Sequence, residues 1–133
     1  MKNIYLDIDG VLLANENYAA EHAAEFLQAV LHKYPESTYW LTTHCEGDAS
    51  VPIARLEQFF DEKTISLMHR ILPTSWDVAK TEAIDFTQDF LWFDDDLYDD
   101  EREVLTANNA LDKWIEVDLH NNPKHLIELT KLL

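Results

Sequence analysis

Apolar residues along the chain fall into two patterns, short unbroken runs and stripes at helical spacing, and the two alternate. Ile4, Tyr5 and Leu6 form the first run. It lacks polar alternation, as expected of a strand buried on both faces in a parallel sheet. Within residues 17–34, Ala23, Phe26, Leu27, Val30 and Leu31 recur at helical spacing and predict one core-facing helix ending before Pro35. Residues 37–41 (Ser-Thr-Tyr-Trp-Leu) predict a second strand that stops at Thr42, Thr43, His44 and Cys45. After the Gly47-Asp48 turn, Ser50 can cap a helix with Pro52 in its first turn and Ile53, Leu56, Phe59 and Phe60 facing inward. Residues 64–72 read as a third strand closed by Pro73. Ser75 or Asp77 then caps a short helix containing Ala79, Lys80, Ala83 and Ile84. Phe90, Leu91, Trp92 and Phe93 make a fourth strand, residues 101–107 a short helix and residues 114–117 a fifth strand. A last helix after Pro123 carries Leu126, Ile127, Leu129 and Leu133.

Strands alternating with helices over residues 1–133, with no repeat or linker, predict a single α/β domain. Its parallel sheet of about five strands would be flanked by helices in three layers, with right-handed crossovers, as in a Rossmann-like fold. Ligands in such sheets sit beyond the strand C-termini. Asp7, Thr42 and Asp94 or Asp95 each end a strand, so they are expected to meet in one crevice although they lie far apart in sequence.

That expectation turns attention to Asp7-Ile8-Asp9-Gly10. Gly10 lets the backbone turn sharply, and two acids beside it can hold a hard cation. The plain alternative is an Asp-Gly turn after a strand. A calcium loop is a sharper rival, because Tyr5, Asp7, Asp9, Gly10 and Glu16 fall at EF-hand positions 1, 3, 5, 6 and 12. It fails because the first position is Tyr5 and the four residues before it cannot form an entering helix.

Composition narrows the partners. With 26 acidic residues against 10 Lys and Arg, the net charge of −16 repels phosphate backbones, so nucleic acid is a disfavoured partner. No stretch approaches the ~20 apolar residues of a membrane span, and no signal-peptide pattern opens the chain. No membrane association is therefore expected, and a cytoplasmic location is. Cys45 is the only cysteine, which excludes an internal disulfide and any multi-cysteine metal site.

The whole pattern resembles the haloacid dehalogenase (HAD) superfamily of phosphohydrolases. Four signatures carry the resemblance across nearly the whole chain: Asp7-Ile8-Asp9-Gly10, the strand end Trp40-Leu41-Thr42, the isolated Lys80, and the acidic pair Asp94-Asp95. The resemblance implies a Mg²⁺-dependent phosphomonoesterase with Asp7 as nucleophile, giving an aspartyl-phosphate, and Asp9 as the acid and then the base. It implies Mg²⁺ held by Asp7, the backbone carbonyl of Asp9, and Asp95 or Asp94, the second of the pair being the usual ligand. It also implies that Thr42, or Thr43 if the strand runs one residue longer, and Lys80 bind the phosphoryl oxygens. The intervals from Asp7 to Thr42 and from Thr42 to Lys80 leave no room for a cap domain. The site is therefore expected to be open to a small phosphorylated substrate or an exposed macromolecular phosphate. Some small capless members with a similar Trp-x-Thr strand are associated with RNA repair, against which the acid excess of this chain argues.

The remaining chemistry-bearing residues read more plainly. Asp96, Asp99, Asp100, Glu101 and Glu103 are expected to form a solvated acidic loop, with Asp99 available to anchor it. Adjacent residues on an extended chain point opposite ways, so His44 and Cys45 do not form a dyad, though one of them can line the pocket. Trp40, Trp92 and Trp114 belong to the core, whereas Trp76, in the loop before Lys80, is placed to touch a substrate. The rival to catalysis is an idle metal-binding module that uses its acidic face to bind a protein, although such a module has no need of Asp9.

Overall fold

A computed structural model describes residues 2–133. In chain order its elements are β1 (Lys2–Leu6), the hairpin strands β2 (Leu13–Asn15) and β3 (Tyr18–Ala19), α1 (Ala23–Lys33), β4 (Thr38–Trp40), α2 (Ser50–Leu56), α3 (Glu62–Met68), β5 (Asp89–Asp94), α4 (Asp99–Ala107), β6 (Trp114–Glu116) and α5 (His125–Thr130). Short 3₁₀ turns occupy Lys80–Ala83 and Leu111–Lys113. The main sheet is parallel throughout, in the order β4-β1-β5-β6.

Period-two alternation divides the strand side chains between two cores. Ile4 and Leu6 of β1, Trp40 of β4 and Phe93 of β5 join Phe26, Leu27 and Val30 of α1, Leu56 of α2, Met68 of α3 and Leu126 of α5 on one face. Tyr5, Phe90 and Trp92 point the other way, to Leu41, Ile84 and Leu105 of α4. A central strand buried on both sides has no polar face to show, which is why its sequence reads as an unbroken apolar run.

The α/β layering agrees with the sequence, while several elements differ. The strand expected at residues 64–72 is instead α3. Asp61 caps it, accepting from the Thr64 amide at 2.9 Å, and Thr64 and Met68, one turn apart, face inward. Only Leu72 keeps a strand's place. Its amide donates to the Thr38 carbonyl at 2.9 Å and its carbonyl accepts from the Trp40 amide at 2.8 Å, a single parallel bridge on the edge of β4. The main sheet therefore has four strands among the described residues, not about five.

The first helix starts at Ala23 rather than near residue 17, because the β2–β3 hairpin takes up the chain before it. Phe59 and Phe60 lie beyond the end of α2 and pack half-buried against the larger core. The segment holding Lys80 is a 3₁₀ turn, capped neither by Ser75 nor by Asp77. Glu82 reaches back instead to the amides of residues 77–79. No helix among the described residues is long and apolar enough to cross a membrane.

Candidate functional site

Strand register builds the site. Leu6 of β1 stands opposite Phe93 of β5, so the residues that follow, Asp7 and Asp94, are neighbours where the sheet ends. The Asp7 amide donates to the Phe93 carbonyl at 3.1 Å. From β1 the chain goes on to β4 at one side of the sheet, and from β5 to β6 at the other, so the connections part above these two acids. That is the switch point at which open α/β sheets have their crevice. A cleft of about 220 Å³ lies there, bounded by buried Asp7, Asp94 and Glu101, half-buried Lys80, and exposed Asp9, Thr43, Asp95 and Tyr98.

Asp7, Asp94 and Asp95 each offer a carboxylate oxygen, and these oxygens all lie within 4.8 Å of one another. One cation answers them from inside the protein. The Lys80 ammonium stands 2.7 Å from Asp94 Oδ2 and 3.5 Å from Asp7 Oδ2. Burial pushes the Asp7 carboxyl above its ordinary value, and the Lys80 charge opposes that shift. Asp94 is pushed up to about 6 by burial and then by the charge of Asp7, against the pull of Lys80. Asp95 also rises to about 6, through partial burial and its contact with Asp94. Burial alone would lower Lys80, but the charges of Asp7 and Asp94 outweigh it and raise the ammonium above its ordinary value. Three carboxylates against one ammonium leave two negative charges unbalanced when all are ionised.

Gly10 keeps this geometry open. It sits at φ +80°, and a Cβ there would strike the Asp95 carboxylate, so the position needs glycine both for its backbone and for the space.

Asp9, two residues from Asp7, belongs to a different cluster. His44 Nε2 lies 2.7 Å from its Oδ2, and Arg55 Nη2 donates to its Oδ1 at 3.4 Å. Its side chain stays outside the Asp7–Asp94–Asp95 group while bordering the same cleft. Of the two threonines, Thr42 is fully buried, its hydroxyl accepting from the His44 amide at 3.3 Å, and Thr43 lines the cleft. Cys45 is buried, with its Sγ 3.5 Å from the Thr74 carbonyl, and forms no dyad with His44.

Two members of the site were not expected from the sequence. Glu101, read there as solvated, is buried, lines the cleft and accepts from the Tyr98 amide at 3.1 Å. Its spacing three residues into a helix start is the signal that identifies it. Arg55 lies 46 residues from Asp9 in sequence, on a helix whose inward stripe says nothing of it. The other acids expected on the surface, Asp96, Asp99, Asp100 and Glu103, are exposed. Comparison of the chain with protein-family models, with curated proteins and with solved structures finds no match.

Proposed function

We propose that this chain is a Mg²⁺-dependent phosphomonoesterase of the haloacid dehalogenase type, working through an aspartyl-phosphate on Asp7. The observation that carries the reading is the strand-end cluster. Asp7 shares one pocket with Asp94, Asp95 and the Lys80 ammonium, on the crevice side of a parallel sheet. An all-oxygen donor set suits a hard cation, and the two uncompensated charges of the cluster equal the charge of one divalent ion. Asp7, the backbone carbonyl of Asp9, and Asp95 or Asp94 would hold it. Mg²⁺ so bound supplies neutralisation of charge on the transferring phosphoryl group.

The chain's own residues would do the rest. An Asp7 oxygen attacks phosphorus as the bond from phosphorus to the alcohol oxygen breaks, and Asp9, hydrogen-bonded to His44, gives the departing oxygen a proton. Asp9 then takes a proton from water, whose oxygen attacks the same phosphorus. The bond to Asp7 breaks and phosphate leaves. Lys80 and Thr43, both on the cleft wall, bind phosphoryl oxygens while this happens. Thr42, sealed beneath, shapes the turn that presents Thr43.

One observation favours a second reading, a metal-binding module without turnover: both Asp9 oxygens are already taken by His44 and Arg55. A phosphoester panel spanning sugars, nucleotides, phosphopeptides and polynucleotide ends separates the two. The enzyme reading expects phosphate release from at least one ester with Mg²⁺, abolished by EDTA and reduced at least about a thousandfold in Asp7→Asn. Equal activity in Asp7→Asn removes the nucleophile. Silence across the panel, together with a stable protein complex in pull-down, supports the second reading.

A further inference from the structure

The catalytic cleft opens sideways into a second pocket of about 110 Å³, and the two share Thr43, Lys80, Tyr98 and Glu101. Of the four residues the second pocket adds, Trp76, Val78 and Ala79 are apolar and Asp100 is acidic, and Tyr98 of the shared wall extends the apolar lining. Seven large hydrophobic side chains stand exposed among the described residues, and two of the three most exposed, Val78 at 78% and Tyr98 at 65%, are in this wall. Such surface is costly to leave in water unless something covers it.

The wall is also tied down by hydrogen bonds. Glu82 clamps the loop under Val78, accepting from the amides of Asp77, Val78 and Ala79 at 3.3, 3.0 and 2.7 Å. Glu101 fixes Tyr98 from below through its amide. Trp76 packs against the smaller core that includes Tyr5 and Ile84, and it also lines the pocket. Preformed apolar walls spend little ordering entropy on a ligand.

We infer that this pocket seats the alcohol half of the substrate, and that the alcohol carries a single planar aromatic ring close to the ester oxygen. The inference rests on the phosphomonoesterase reading, since it takes Lys80 and Thr43 to hold the phosphoryl group. Size limits the occupant to one ring, because benzene alone takes a closed cavity of about 150 Å³, and this pocket of about 110 Å³ holds a ring only by sharing space with the adjoining cleft. Proximity argues for a short link, because the two pockets have a common wall. Charge argues against a second phosphate, because Asp100 and Glu101 line this side.

Non-hydrolysable phosphonates test the pocket without requiring turnover. With Mg²⁺ present, calorimetry should show benzylphosphonate binding about tenfold more tightly than ethylphosphonate, and more tightly than cyclohexylmethylphosphonate, which matches it in bulk but is not planar. The benzyl-to-ethyl preference should fall toward one in Trp76→Leu and in Val78→Asp, the second a change at an exposed loop position that the fold tolerates. Equal binding of the three phosphonates by the wild type, or no binding of any, overturns the inference. So does a preference that survives both substitutions. Hydrolysis of benzyl phosphate is scored separately. A benzyl preference with no turnover of benzyl phosphate or of any ester in the panel keeps the pocket and refutes the phosphatase reading, whereas turnover without preference does the reverse. An arm with phosphotyrosine in a short peptide tells a ring on a free alcohol from one carried on a chain.

Discussion

Asp7 and Asp9 stand two residues apart and keep opposite company. Asp7 ends a central strand, is buried, and shares a single lysine with Asp94 and Asp95. Asp9 lies past the strand end, is half-exposed, and has a cationic or hydrogen-bonding partner on each oxygen. The difference comes from the backbone. The sheet ladder holds Asp7 against Phe93, whereas the turn through Gly10 swings Asp9 out toward α2. An Asp-x-Asp pair at a strand end thus yields one acid in a site short of positive charge and one in a site with enough.

The sharpest way to break this comparison is to remove the inner cation. Lys80→Met keeps the length of the side chain but leaves buried Asp94 without its partner at 2.7 Å. Removing one member of a buried pair strands the other, at a cost of about 3–5 kcal/mol. Urea unfolding at pH 7.5 without metal should therefore show a large fall in midpoint at unchanged slope. A loss below about 1 kcal/mol would make the inner cluster no different from a surface pair.

Metal addition sharpens the contrast next. On the proposed reading, Mg²⁺ at a hundred times its dissociation constant adds about 2.7 kcal/mol to stability. Asp95→Asn should lose most of that gain, while Asp9→Asn, which alters a side chain outside the inner group, should keep it. The same stabilisation in both variants would mean that the ion does not depend on Asp95.

Protons should report the same excess charge. The Asp94 and Asp95 carboxyls titrate at about 6 in the folded protein against an ordinary 3.8, so between those values the folded chain holds protons the unfolded chain does not. Lowering the pH from 7.5 to 5 should therefore stabilise the metal-free protein. The exposed acids whose carboxyls are held low, Asp48, Asp61, Glu82, Asp85, Asp89 and Asp118, act in the opposite sense, but only as the pH falls below their unfolded value. The window from 7.5 to 5 lies above those values, so these acids do not mask the cluster. With Mg²⁺ bound the sign should reverse, because protons compete with the ion. Thermal melts across this range check both slopes, and a flat metal-free profile would remove the excess charge from the account.

How much of this is legible from sequence depends on whether a residue's neighbours are local. Asp7 and Asp94 stand out because each ends an apolar run, and parallel pairing makes such ends converge. Lys80 could be singled out only through the resemblance, since its partner is 14 residues away and on another element. Residues 64–72 look like a strand because Ile65, Leu67, Ile71 and Leu72 are strand-like in composition, while Asp61, the cap that decides for a helix, lies just outside the run. The β2–β3 hairpin leaves no mark in the sequence because Leu13, Ala14 and Asn15 show no alternation, and the Ala20 amide, which donates to the Leu12 carbonyl at 2.8 Å, ties it down through backbone alone.

The smallest effect expected belongs to the outer cluster. Arg55→Met removes the guanidinium 3.4 Å from Asp9 but keeps an unbranched apolar side chain, so the change reports on charge rather than packing. Both partners are substantially exposed, at 30% and 52%, and pairs of that kind are worth about 1 kcal/mol or less. The urea midpoint should therefore move slightly at low salt, and less again at high salt, where screening has already weakened the pair. His44, 2.7 Å from the other oxygen, remains to hold Asp9 at the cleft mouth. A loss matching that of Lys80→Met would mean that the protein depends on both clusters alike, and that the two acids are not set apart by their surroundings.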